Sequence, residues 1–181
     1  MAQDGCQTAQ GFFVDVPVKG QQCIMCRLIG RIPVQLFHRH CKRAHTAVEE
    51  LIKADGNIRF IVKEFPVLGE ASEMASAFAV AVKQLHGDAA YKATHDTLLT
   101  FNGDINEKTL RRLATILGHD DQAVLDQMNQ EIVMKEIAET RLLAARLQIN
   151  GTPTFVFDDE LVRGAVSLET MTSLVAAKRQ D

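Results

Sequence analysis

The segment Asn150-Gly151-Thr152-Pro153-Thr154-Phe155-Val156-Phe157-Asp158-Asp159 joins a turn, a strand and a second turn within ten residues. Residues 154–157 are β-formers without a polar interruption beyond Thr154, the composition of a buried strand. Pro153 cannot donate a ladder hydrogen bond, so it starts the strand rather than sitting inside it. Gly151 supplies a permissive backbone for a sharp entry, and the bond before Pro153 is of the one type that adopts cis without a large penalty. Asp158-Asp159 then reads as a tight turn into a further strand at 160–165, which makes that pair antiparallel.

Working outward, a helix is expected from Ser167 to about Lys178, with Ser167 and Thr170 as a partial capping box. Toward the N-terminus, 34–37 reads as a short strand. A helix pattern begins at Cys41, with Ala44, Ala47, Val48, Leu51 and Ile52 on one face. Asp55-Gly56-Asn57 ends it, and 58–62 reads as a strand stopped by Pro66. Strand, helix, strand implies a parallel unit, because the crossover needs a helix.

Residues 72–147 are expected to be helical. Ser72 is the expected N-cap of a helix with Ala75, Phe78, Ala79, Val82 and Leu85 inward and Gly87 at its end. A second helix covers 91–101. Asn106 caps a third, with Leu110, Leu113 and Leu117 inward and Gly118 past its end. Asp120 or Asp121 opens a fourth, which breaks near Asn129 and continues through Ile132, Ile137, Leu142 and Leu147. The whole is an α/β chain with a mixed sheet and an inserted helical subdomain.

Composition restricts the function classes. The chain has 181 residues, 46% hydrophobic and 24% charged, enough to bury a core in one domain. A net charge of -3 and a pI near 6.1 give no footprint for nucleic acid, and no basic run points to a membrane surface. No apolar run reaches the length of a transmembrane helix. Residues 1–10 are polar with Asp4, unlike the basic start of a signal peptide. Residues 1–33 show no clear period and are read as a poorly defined segment.

Several pieces together resemble the DsbA-like thiol-disulfide oxidoreductases, thioredoxin folds with a helical insertion. They are Cys41-Lys42-Arg43-Ala44-His45, Lys63-Glu64-Phe65-Pro66-Val67-Leu68-Gly69, Asn150-Gly151-Thr152-Pro153-Thr154-Phe155-Val156, and Leu161-Val162-Arg163-Gly164-Ala165-Val166. The resemblance implies a thioredoxin-like domain over 34–181 with the insertion at about 72–147. It implies no cofactor, protein or peptide thiols and disulfides as partners, with glutathione as a further one, and a periplasmic or extracytoplasmic location. It also implies that Thr152 and a cis Pro153 face the redox site, where the backbone before the proline pairs with an extended peptide.

The chemistry of such proteins needs C-x-x-C at a helix N-terminus, where the dipole lowers the pKa of the first thiol and the second resolves the mixed disulfide. Cys41 matches the resolving position. His38 stands where the nucleophile belongs, and an imidazole forms no disulfide, so exchange is expected to be impaired. A C-x-x-C does occur at Cys23-Ile24-Met25-Cys26 and has a reading as a displaced redox pair, but Gly30 and Pro33 leave little room for a helix after it, and coincidence is the preferred reading. The abrupt onset of the match at Cys41 fits a reading-frame change upstream of that codon. The alternatives are a non-catalytic peptide-binding module and a glutathione-binding transferase.

Other candidates read more plainly. Cys41 and His45, four apart on a helix face, with His38 or His40, have a metal reading, opposed by Arg39, Lys42 and Arg43; solvated polar residues at a helix start is the preferred one. His86, His95 and His119 read as isolated surface groups. Glu64 has two readings, a buried acid near the thiols and a strand-end carboxylate in solvent, and the second is preferred.

Overall fold

The computed structural model describes residues 23–25 and 34–180. In chain order the elements are β1 (Cys23–Met25), α1 (Val34–Asp55), α2 (Glu70–Thr100), α3 (Glu107–Ile116), α4 (Asp121–Met128), α5 (Glu131–Arg146), β2 (Thr154–Phe157), β3 (Glu160–Arg163) and α6 (Leu168–Ala177). The expectations for residues 1–22 and 26–33, including the missing export signal and the Cys26 half of the C-x-x-C, lie outside the described residues.

β2 is the middle strand of a three-stranded antiparallel sheet. On one side it pairs with β1, Ile24 opposite Phe155; on the other with β3, Phe155 opposite Val162. Strand alternation sends its side chains into two different layers. Phe155 and Phe157 join Ala44, Ala47, Val48 and Leu51 of α1 and Met171 and Val175 of α6 in one core. Val156 packs with Phe65, Ala144 and Ile149 on the opposite face. Burying each of these large side chains is worth about 1.5–3 kcal/mol. The sheet therefore sits between a layer of α1 and α6 and a layer that includes α5.

A second core belongs to the helices α2 to α5, and Cys41 of α1 is part of it. In α2 every residue from Ala75 to Val82 is buried, so this helix is central, covered all round rather than on one stripe. Gly87 has φ 78 and ψ -168 and breaks α2 into two segments. Asn106 caps α3 through its side chain, which accepts from the Thr109 amide at 3.0 Å, and Asp120 caps α4 in the same way from Ala123 at 2.8 Å. Ser167 caps α6, accepting from the Thr170 amide at 3.2 Å. These caps satisfy amides that the first helical turn leaves without partners.

Four local expectations are corrected. Residues 34–37 are helical, because α1 starts at Val34 and runs without a break into Cys41; Phe37, Cys41, Ala44, Val48 and Leu51 recur at the three-and-four spacing of one helix face. Residues 58–62 form no ladder: the strand expected to pair with them is helix, and both flanks of β2 are taken. Ile58 and Phe60 instead pack against the β2 core and Val62 against the helical one. Ser72 lies inside α2 and is buried, the helix starting after Gly69, which has positive φ. Leu85, Ile132, Leu142 and Leu147 are exposed. The buried face of α5 is Val133, Ile137, Thr140 and Ala144, offset from the leucines.

Candidate functional site

Cys41 is the eighth residue of α1, two turns inside the helix, and is 1% exposed. Eight residues into the helix, its own amide is no longer one of the orphan N–H groups of the helix start. This differs from the helix-opening position expected for the residue. His38, three residues earlier, lies on the first turns of the same helix. A thiol enclosed in a core is out of reach of reagents and partners in solvent.

The Thr152–Pro153 peptide bond is cis. Pro153 is buried and Thr152 half-buried. Their turn is braced on three sides: Gly164 donates its amide to the Pro153 carbonyl at 2.8 Å, the Thr154 hydroxyl donates to the Gly151 carbonyl at 2.7 Å, and Arg163 reaches the Gln148 carbonyl at 3.1 Å. The Thr152 hydroxyl oxygen is closed off from solvent and has no hydrogen-bond partner among the described residues. Gly164, with φ 85, takes the left-handed conformation at the end of β3. Cys41 packs with the helical core, whereas Ala44, one turn on, shares a core with Phe155 and Phe157 just after Pro153. α1 is the element that joins the two places.

The largest departure from the sequence reading is Glu64. It is 4% exposed, and its carboxylate accepts from the Ser76 hydroxyl at 3.0 Å on one oxygen and from the Tyr91 hydroxyl at 2.8 Å on the other. His95 Nδ1 lies 3.2 Å from that second oxygen, and His95 is itself 4% exposed. A buried carboxylate is tolerable only with such donors around it. The solvent reading of Glu64 and the surface reading of His95 are both overturned. Tyr91, the chain's single tyrosine, and His95 stand four apart on α2, which is the signal that marks one polar face turned inward. Tyr91 also shares the helical core with Cys41.

His45 continues this polar interior, its ring edge-on to His95 at 6.4 Å. Burial holds its pKa below 6.5, against the pull of Asp96 and Glu49 in the other direction. Its charged neighbours are these two residues and Lys92. His86 and His119 are not isolated either: their rings stack at 4.3 Å with 11° between the planes.

Residues 39–176 match the DSBA-like thioredoxin domain family. The structure is similar to that of a thioredoxin-like oxidoreductase from Silicibacter pomeroyi DSS-3, with TM-score 0.80, 31% identity, and coverage of 94% of this chain and 93% of that one. It is similar in fold to the thiol-disulfide exchange protein α-DsbA2 of Wolbachia pipientis (TM-score 0.76, 24% identity, 92% and 86% covered). A periplasmic thioredoxin-like protein from Salmonella enterica serovar Typhimurium also shares the fold (TM-score 0.74, 20% identity, 94% and 91% covered). The sequence is also 26% identical over 138 residues to the Na(+)/H(+) antiporter NhaA 1 of Salinispora arenicola (strain CNS-205); the match takes in 76% of this chain but spans only 21% of that relative's length. No helix among the described residues is long and apolar enough to cross a membrane. With the family match running from residue 39 within α1 to residue 176 within α6, the chain belongs to the DsbA-like thioredoxin-domain family of thiol-disulfide oxidoreductases.

Proposed function

We propose that this chain engages extended segments of protein thiols and disulfides at Thr152 and Pro153, on the extracytoplasmic side of a membrane, and that its exchange chemistry is impaired by His38. The observation that carries this reading is the burial of Cys41 at 1% exposure, three residues after an imidazole. A buried sulfur at that place suits a resolving thiol, which attacks from within a mixed disulfide, and not a nucleophile that must meet a protein substrate in solvent. The resolving role has nothing to act on when the residue at 38 carries no sulfur.

What is left is slow one-thiol exchange in molecules that open transiently around Cys41. The Cys41 thiolate attacks a substrate disulfide, one new S–S bond forms, one breaks, and a substrate thiolate leaves. Release of Cys41 then needs an external thiol, and glutathione is the chemical class that fits. Peptide recognition is separate from this step. The Thr152 hydroxyl oxygen has no hydrogen-bond partner among the described residues, and the backbone of Thr152 is the group this reading assigns to an extended peptide.

Reduction of insulin by dithiothreitol tests the proposal. The unsubstituted chain is expected to turn over near the uncatalysed rate, Cys41→Ala no differently, and His38→Cys well above it. Strong turnover that survives Cys41→Ala would overturn the assignment. So would an extended, thiol-alkylated peptide that binds the unsubstituted chain and Thr152→Arg equally well.

A further inference from the structure

Two carboxylates and a histidine from two helices converge beside the buried polar interior. His45 and Glu49 are four apart on α1, so both project from one helix face. Asp96 faces them from α2, with Oδ1 3.4 Å from His45 Nε2. One donor atom from each of the three lies within 4.8 Å of the others. Among the described residues, the cation that bridges the two carboxylates is the ammonium of Lys92, 2.7 Å from Glu49 and 2.6 Å from Asp96 Oδ2.

Counted over the described side chains, two carboxylates and one ammonium leave a net charge of one negative unit. Asp96 Oδ1, closed off from solvent, accepts no hydrogen bond among the described residues, although an oxygen in that position ordinarily finds a donor. His45 turns Nε2 toward this oxygen and supplies the nitrogen of the trio. Lys92 is less deeply placed: its side chain is 40% exposed and has a path to solvent. A divalent ion in place of the ammonium would bring the trio to neutrality and give Asp96 Oδ1 its missing partner.

We propose that His45, Glu49 and Asp96 form a divalent-cation site of the zinc class, closed by the side chain of Lys92. Neither Thr152–Pro153 nor any thiol takes part, so the site is independent of the exchange reading above. Tetrahedral zinc bonds of about 2.0–2.2 Å place donors roughly 3.3–3.6 Å apart. The trio reaches that spacing by an inward shift of about 1 Å, within the rotamer freedom of the half-exposed Glu49. Nitrogen and carboxylate donors suit zinc or cobalt better than copper(I), which prefers sulfur. Water completes the shell.

The test uses the full chain with zinc in calorimetry and cobalt in absorption spectroscopy. Lys92→Met is expected to bind zinc about tenfold more tightly than the unsubstituted chain, and Asp96→Asn in that background to lose about tenfold or more. Glu49→Gln, which keeps the side-chain shape, serves as a second ligand variant. The cobalt adduct is expected to show weak visible bands and no thiolate charge-transfer band in the ultraviolet. Zinc affinity unchanged by Lys92→Met, unchanged by both ligand variants, or a cobalt spectrum with the thiolate band would each overturn the site.

Discussion

Glu64 and Tyr91 are joined by a 2.8 Å hydrogen bond from the phenol hydroxyl to the carboxylate, with neither residue more than 4% exposed. The bond links the irregular segment after α1 to the middle of α2. Removing the hydroxyl leaves a buried acceptor with one donor fewer, and an unmet buried group costs more than the bond was worth. Tyr91→Phe is expected to lower unfolding free energy by about 1–3 kcal/mol in urea titrations. An unchanged midpoint would mean that water or another donor replaces the phenol.

Cys41 should resist modification in the folded protein. At 1% exposure within the helical core, its alkylation requires opening of the structure, so peptide mapping after iodoacetamide treatment is expected to find it unlabelled in the native state and labelled in guanidinium. Cys41→Ala removes one buried atom of a packed core and is expected to cost roughly 1 kcal/mol. Prompt native-state labelling at Cys41 would contradict the enclosed position.

Gly87 offers a test of backbone conformation alone. With φ 78 and ψ -168 it occupies a region that side chains with a Cβ rarely enter, yet a Cβ built there meets no atom within 4 Å. Gly87→Ala therefore carries conformational strain and no steric clash, with an expected loss of about 1–3 kcal/mol. Were the variant as stable as the parent, α2 would have to pass through this point as an uninterrupted helix.

Acid should weaken the fold through two partly buried imidazoles. Burial, with the stacked His86 as the second cause, holds His119 below 6.5, and burial does the same for His45. Between the folded pKa and 6.5 the unfolded chain binds more protons, so stability rises with pH there. The contribution is present in full above 6.5 and is lost as pH falls through that window, at no more than about 1.4 kcal/mol per pH unit per group. Thermal unfolding at neutral pH and at about pH 5.5 measures this loss, and His119→Gln is expected to reduce it. A steeper loss in the variant would reverse the sign assigned to His119.

Local signals made much of this fold readable. Asn106, Asp120 and Ser167 were identifiable as caps because a short polar side chain before an apolar run has few other uses, and each does accept from the amide three residues on. The turn at Asp158-Asp159 and the strands on either side were equally plain. The errors arise where tertiary packing chooses between two local options. Val34-Gln35-Leu36-Phe37 can extend a strand or prolong a helix, and the phase it shares with Cys41 and Ala44 decides for the helix. Glu64 looked like a solvent group because its partners are 12, 27 and 31 residues away, beyond the reach of any local pattern. His45 was read with Cys41 as its companion, yet the side chains that approach it are Glu49 on its own helix and Asp96 across the groove.

α1 gives its sulfur to one apolar interior and its next three turns to the other. A helix used as a common wall cannot melt on one side only, since its backbone bonds are lost to both. The bundle of α2 to α5 and the layer around β2 are thus mechanically one cooperative unit, and slow amide exchange along α1 should report the opening of the entire molecule.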